Sequence, residues 1–215
     1  MINLVFDYDG TLHESIKIYA PAFRKAQEYL VEKGLTAKKE YSDMEISQWL
    51  GFTATEMWNA FAPTLPQEEK QICSNIIGDE MLRLTYSGYA FLYPKIEDML
   101  IKLKHRGHNL IFLSNCKKSY MEAHKEVFGL ERFFSVFYCS EEFGFIPKYE
   151  IYDRIKSKLE GDVVIIGDRD QDMEIAIKYG LKSVGCLYGY GKPKELSGAS
   201  FLVENPDQLF KILCG

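Results

Sequence analysis

Six short runs in this chain are apolar at nearly every position: 2–6 (INLVF), 109–113 (NLIFL), 134–138 (FSVFY), 162–167 (DVVIIG), 182–188 (KSVGCLY) and 199–203 (ASFLV). A strand with one solvated face alternates apolar and polar residues, whereas a continuous apolar run suits a strand covered on both faces. Between the later runs lie stretches with helical periodicity. Residues 93–107 repeat Ile96, Met99, Leu100 and Leu103 behind Pro94 and stop at Gly107. Residues 117–129 stop at Gly129, residues 148–161 repeat Ile151, Ile155 and Leu159 and stop at Gly161, and residues 171–180 stop at Gly180. Proline near a first turn and glycine after a last one punctuate helices, so each of these glycines is expected to act as a helix C-cap. Strand and helix in alternation imply a parallel sheet with helices on both sides, an α/β fold.

One interval breaks the rhythm. Residues 7–108 separate the first run from the second, where a crossover between parallel strands needs only about a dozen residues. The interval reads as helical. Ile16, Tyr19, Ala20, Phe23, Ala26 and Leu30 recur at helical spacing, and the stretches 42–51, 53–62 and 66–88 follow. We expect residues 15–86 to form an inserted all-α domain, with Trp49, Trp58 and Phe61 in its own core, and residues 1–14 with 87–215 to form the α/β core.

The bulk numbers narrow the function. With 47% hydrophobic and 27% charged residues, a chain of 215 residues can bury a core of ordinary size. The net charge of -5 and the shortness of the basic clusters, Lys38-Lys39 and Lys117-Lys118, exclude a long phosphate-binding surface, so no nucleic acid partner is expected. Cysteines 73, 116, 139, 186 and 214 are odd in number and none are spaced C-x-x-C, which suggests reduced core thiols rather than a zinc site or a disulfide framework. No window approaches the roughly 18 apolar residues of a membrane span, and INLVF is too short for a signal peptide. The expected location is the cytoplasm.

In an open parallel sheet, ligands bind beyond the carboxyl ends of the strands. The first run is followed by Asp7-Tyr8-Asp9-Gly10-Thr11 and the second by Ser114 and Asn115; Lys148 opens the helical stretch before the fourth, and Asp168, Asp170 and Asp172 follow it. Four segments thus deliver carboxylates, a hydroxyl and an amine toward one edge. Several aspartates at one point repel one another and need a cation, and oxygen donors of this kind suit Mg²⁺. With the metal and Lys148 in place, the site holds an anion such as phosphate. One carboxylate can attack phosphorus, and a second, two residues on and on the same side of an extended segment, can protonate the leaving oxygen and then deprotonate water.

These residues carry a resemblance that spans essentially the whole chain. VFDYDGTL, LIFLSN, the lysine of PKYEIY and IIGDRDQDMEIAIKYG resemble, in order, the motifs of the haloacid dehalogenase superfamily, within its phosphoglycolate-phosphatase-like group with a helical cap. The resemblance implies a Rossmann-like core with an inserted helical cap and a Mg²⁺-dependent phosphatase acting on a small phosphorylated metabolite, such as phosphoglycolate or a sugar phosphate. It implies Asp7 as nucleophile, Asp9 as general acid/base, Ser114 as phosphate contact with Asn115 shaping that site, and Lys148 as the charge balance between nucleophile and phosphate. Asp168 would be a direct Mg²⁺ ligand and Asp172 a supporting one, with Asp7 through its side chain and Asp9 through its backbone carbonyl. The family's third motif commonly has prolines after the lysine, whereas here Pro147 precedes Lys148. Asp170 is expected to face solvent. The stretch 187–196 resembles a glycine-bearing loop that follows the fifth strand in this group and adds no catalytic residue. His13, Lys17 and Arg24 are expected to be ordinary surface residues. Two alternatives share the motifs: a phosphomutase of the beta-phosphoglucomutase kind, and a non-catalytic binding protein on the same scaffold.

Overall fold

Leu4, Val5 and Phe6 have almost no exposed surface because the strand that carries them, β1 (Asn3–Phe6), lies inside a sheet. The computed structural model describes residues 1–215. The other strands are β2 (Asn109–Ser114), β3 (Val136–Cys139), β4 (Val163–Gly167), β5 (Lys182–Cys186) and β6 (Phe201–Val203). They form one six-stranded sheet in the order β3-β2-β1-β4-β5-β6, with every neighbouring pair parallel. The register sets Phe6 beside Phe112 on one side and Ile166 on the other. β6 is an edge strand, and its Phe201 and Leu202 are exposed.

The chain divides into two compact units, residues 1–14 with 92–215 and residues 15–91. The second is helical: α1 (Ile16–Glu32), α2 (Asp43–Ser47), α3 (Ala54–Phe61) and α4 (Gln67–Tyr86). Ser42 with Glu45 and Thr53 with Glu56 close capping boxes at the starts of α2 and α3. Phe61 is the hub of its aromatic core, with ring centroids 5.1 Å from Phe23, 5.6 Å from Tyr41, 5.9 Å from Trp49 and 6.0 Å from Trp58. Residues 87–91 stay with this unit: after the turn at Gly88, the Tyr89 N–H donates back to the Leu84 carbonyl of α4.

In the first unit, α5 (Ile96–His105), α6 (Lys118–Phe128), α7 (Lys148–Ile155), α8 (Asp170–Tyr179) and α9 (Pro206–Cys214) flank the sheet. Ile151, Tyr152 and Ile155 of α7 and Ile175 and Ala176 of α8 pack with Val5, Ile111, Leu113 and Ile165 in one buried cluster. Gly129 and Gly180 end α6 and α8 in the left-handed region, and Gly107 follows the last residue of α5's C-terminal turn. Gly161 differs from the expectation. α7 stops at Ile155 and continues as a 3₁₀ turn over Lys156–Lys158; Leu159 is extended and packs against the core cluster, which draws the chain off the helix before the glycine is reached.

Ile111 is fully buried in that cluster. Ile111→Ala is expected to lower unfolding stability by about 3 kcal/mol, and Ile111→Val by about 1 kcal/mol, read from equilibrium urea unfolding.

Candidate active site

The site begins one residue beyond β1. The Asp7 N–H donates to the Ile166 carbonyl at 2.8 Å, which extends the β1–β4 ladder by a step and fixes the Asp7 backbone. The parallel register brings the Ser114 end of β2 and the Asp168 that follows β4 to the same edge. Past Asp7 the chain turns tightly: the Thr11, Leu12 and His13 N–H groups all converge on the Tyr8 carbonyl. Gly10 makes this turn possible. Its φ is +84°, and a Cβ there would stand 2.3 Å from Asp168 Oδ2, so both its backbone and its bare α-carbon are required.

Asp7, Asp168 and Asp172 are buried with carboxylate oxygens within 4.8 Å of one another. Lys148, also buried, enters this cluster from the first turn of α7, where Pro147 precedes it. Its Nζ donates to Asp7 Oδ1 at 2.5 Å and to Asp172 Oδ1 at 2.7 Å. Burial alone would lower the lysine's pKa, but the Asp172 and Asp7 carboxylates outweigh it and hold the ammonium above the ordinary lysine range. Burial pushes Asp7 well up; Asp172 and Asp168 add to the rise and Lys148 opposes it. Asp168 is pushed up to about 6, first by burial and then by Asp172.

Each carboxylate has its own fastening. Asp168 Oδ2 accepts the Tyr190 N–H at 2.7 Å and Oδ1 accepts the Thr11 hydroxyl at 3.3 Å. The loop carrying Tyr190 lies so close that a Cβ on Gly189 would fall 2.3 Å from the Asp168 Cβ. Asp172 Oδ2 accepts the Arg169 N–H at 3.1 Å while its Oδ1 holds Lys148. Asp170, the first residue of α8, is exposed.

Ser114 is buried at the end of β2. Asn115 beside it accepts the Ser140 hydroxyl at 2.7 Å and donates to Gln171 Oε1, so its amide ties the end of β2 to the start of α8. Asp9 is not one of the three clustered carboxylates. Its side chain is 17% exposed, and its Oδ1 accepts the Tyr120 O–H at 2.7 Å and lies 3.1 Å from His13 Nδ1.

The structure corrects the expectation for His13. It is fully buried, because backbone bridges to Asp9 and Leu92 hold it and its ring stacks on Tyr8 at 5.2 Å and 10°. Lys17 is exposed, and Arg24 binds the Tyr41 carbonyl and Asp43 within the helical unit. Spacing along the sequence missed Tyr120 and His124. They stand four apart on one face of α6, a pair of polar rings on an otherwise core-facing stripe. Burial, then His13, lowers His124 well below the ordinary histidine range, so its ring is neutral. Burial, then Asp9, raises Tyr120 far enough to keep its hydroxyl proton.

The donor set fits a hard divalent cation. Three buried carboxylates against one ammonium leave net negative charge in a site of oxygen ligands.

Residues 4–186 match the haloacid dehalogenase-like hydrolase family. The chain is 25% identical to the phosphoglycolate phosphatase of Synechococcus elongatus, covering 98% of this chain and 96% of the relative. It is 26% identical to that of Aquifex aeolicus, covering 98% and 95%. A solved structure described as a predicted phosphatase from Clostridium acetobutylicum superposes with a TM-score of 0.82 at 22% identity, over 98% of this chain and 97% of the other; at that identity the likeness speaks to the fold. No helix is long and apolar enough to cross a membrane.

The raised Asp168 makes a signed prediction. A carboxyl whose folded pKa is raised contributes stability that is full below its ordinary value of 3.8 and is lost as pH climbs through about 6. With chelator present, Asp168→Asn is therefore expected to be more stable than wild type at pH 8, by about 3 kcal/mol, and about equal to it near pH 4. Thermal melts at the two pH values check this; an equal difference at both would contradict it.

Proposed function

The chain belongs to the haloacid dehalogenase-like hydrolase family and is a phosphatase of that family; on that premise we propose that it hydrolyses a small phosphate monoester in a Mg²⁺-dependent reaction through a phosphoaspartate on Asp7. The observation that carries this reading is Lys148 Nζ, shared by Asp7 Oδ1 and Asp172 Oδ1 inside a buried cluster of carboxylates. The ammonium holds one oxygen of Asp7 and leaves the other to attack phosphorus. As that O–P bond forms and the ester P–O bond breaks, Asp9 gives its proton to the leaving oxygen. Water then attacks the phosphoaspartate and gives a proton to Asp9, and the Asp7 O–P bond breaks to release Asp7 and inorganic phosphate.

Mg²⁺ would be held by the Asp7 and Asp168 side chains and the Asp9 backbone carbonyl, with Asp172 in support, and it supplies charge neutralisation for a phosphate brought among carboxylates. Ser114 contacts the phosphate and Asn115, braced by Ser140 and Gln171, shapes the same corner. The curated relatives named above are phosphoglycolate phosphatases, which favours phosphoglycolate or a sugar phosphate of similar size as substrate. We assign the choice among such esters to the helical unit. Five free, buried cysteines agree with a reducing compartment, the cytoplasm.

The test is phosphate release from phosphoglycolate, a panel of sugar phosphates and an aryl phosphate, with Mg²⁺ and with chelator. Release is expected only with Mg²⁺. Asp7→Asn is expected to lower kcat by about a thousandfold or more without loss of folding. Turnover by Asp7→Asn at the wild-type rate, or silence of the wild type across the panel, would overturn the proposal.

A further inference from the structure

Behind Asp9 lies a closed group of polar rings that the proposed chemistry does not use. The Tyr120 O–H donates to Asp9 Oδ1 at 2.7 Å, His13 Nδ1 stands 3.1 Å from the same oxygen, and the two partners are 3.2 Å from each other. A carboxylate oxygen only accepts, so the nitrogen beside it is the protonated one. From this geometry we infer that Tyr120 and His13 are positioning residues: together they hold the Asp9 carboxylate by Oδ1, so that Oδ2 carries the proton given to the leaving group and taken from water. The inference rests on the reading of Asp9 as general acid/base.

A carboxylate's last torsion is broad and roughly two-fold. Two donors on one oxygen remove that freedom and distinguish the two oxygens. Oδ1 remains an acceptor whether Asp9 is ionised or protonated, so the exchangeable proton sits on Oδ2 in both halves of the reaction. The donors themselves have little room to move. The Tyr120 and His124 ring centroids are 4.1 Å apart, His13 meets His124 edge-on at 4.6 Å, and the Tyr8 hydroxyl lies 2.8 Å from His124 Nδ1. His13 is fully buried and Tyr120 is 8% exposed. Tyr8, between the two aspartates in sequence, thus anchors the bracket from the same strand end that delivers the carboxylate.

Because kcat/KM reports only steps up to departure of the leaving group, a bracket for the general acid shows there through one feature, the protonation of the leaving oxygen. An alkyl alcohol leaves only with a proton, whereas p-nitrophenolate departs without one. Tyr120→Phe keeps the ring and removes the O–H. It is expected to lower kcat/KM for phosphoglycolate or another alkyl phosphate by about tenfold or more, and for p-nitrophenyl phosphate by less than about threefold, with the melting temperature close to wild type. Equal losses on the two substrates, or no loss on either, would overturn the inference. If Tyr120→Phe does not fold, His13 decides. His13→Asn keeps an N–H near the place of Nδ1 and is expected to retain alkyl phosphate turnover that His13→Leu loses; equal behaviour of the pair sinks the inference. Asp9→Asn separates the two levels of the claim. If it discriminates strongly between alkyl and aryl esters while Tyr120→Phe does not, the bracket alone is wrong. If it shows no discrimination, the role of Asp9 itself is wrong.

Discussion

A buried ammonium shared by two buried carboxylates is the constraint on which the rest of this molecule depends. Lys148 bonds Asp7 and Asp172 in a place with almost no solvent. Removing such charges from water is expensive, and their attraction offsets the loss only with good geometry and further hydrogen bonds. The surrounding fold supplies both. The Asp7 backbone is held by the Ile166 carbonyl, Asp172 is held by the Arg169 N–H, and Lys148 is carried in by a helix that begins after a proline. One ammonium does not balance three carboxylates, however. Burial first, with the neighbouring carboxylates adding to it, raises Asp7 and Asp168, and a divalent cation would supply the positive charge that the cluster lacks. The site is under electrostatic tension by construction, as sites tuned for chemistry are.

The sheet turns this local requirement into a position. β1 is paired on both sides in one continuous register, so the chain leaving β1, β2 and β4 arrives at one edge at nearly one level. Parallel strands make this possible because all their carboxyl ends face the same way. The loop after β5 then closes on Asp168 from the far side, through a backbone N–H from Tyr190 and an approach that only glycine tolerates at Gly189. That loop contributes alignment to a carboxylate that another strand supplies.

The convergence of Asp7, Lys148, Asp168 and Asp172 was legible in the sequence because each follows or opens an element whose apolar pattern is strong. Once the strands are parallel, the direction in which those residues emerge is no longer free. Asp170 was legible for the same reason, since the first residue of α8 faces outward. His13 was misjudged. Six residues beyond Asp7, in a polar stretch ending in Glu14 and Ser15, nothing in its neighbours announces burial; its place is set by bridges to Asp9 and to Leu92, a residue distant in sequence. Tyr120 and His124 were missed because periodicity shows which side of α6 faces inward and does not show which polar group that side meets. Gly161 was misassigned because a glycine after a helical pattern looks like a cap whether or not the helix reaches it.

By itself the sequence determined the α/β class, the helical nature of the insertion and the residues that gather at the strand ends. These follow from local rules: apolar runs covered on two faces, helical periods, and the fixed direction of parallel strands. Only the tertiary structure decided which oxygen of each carboxylate has which partner, that Lys148 stands between Asp7 and Asp172, and that Asp9 turns toward Tyr120 and His13. The physical reason is range. A hydrogen bond tells 2.7 Å from 5 Å, whereas patterns along a chain fix a residue's face and level and leave the side chain's last few ångströms to whatever the fold packs against it.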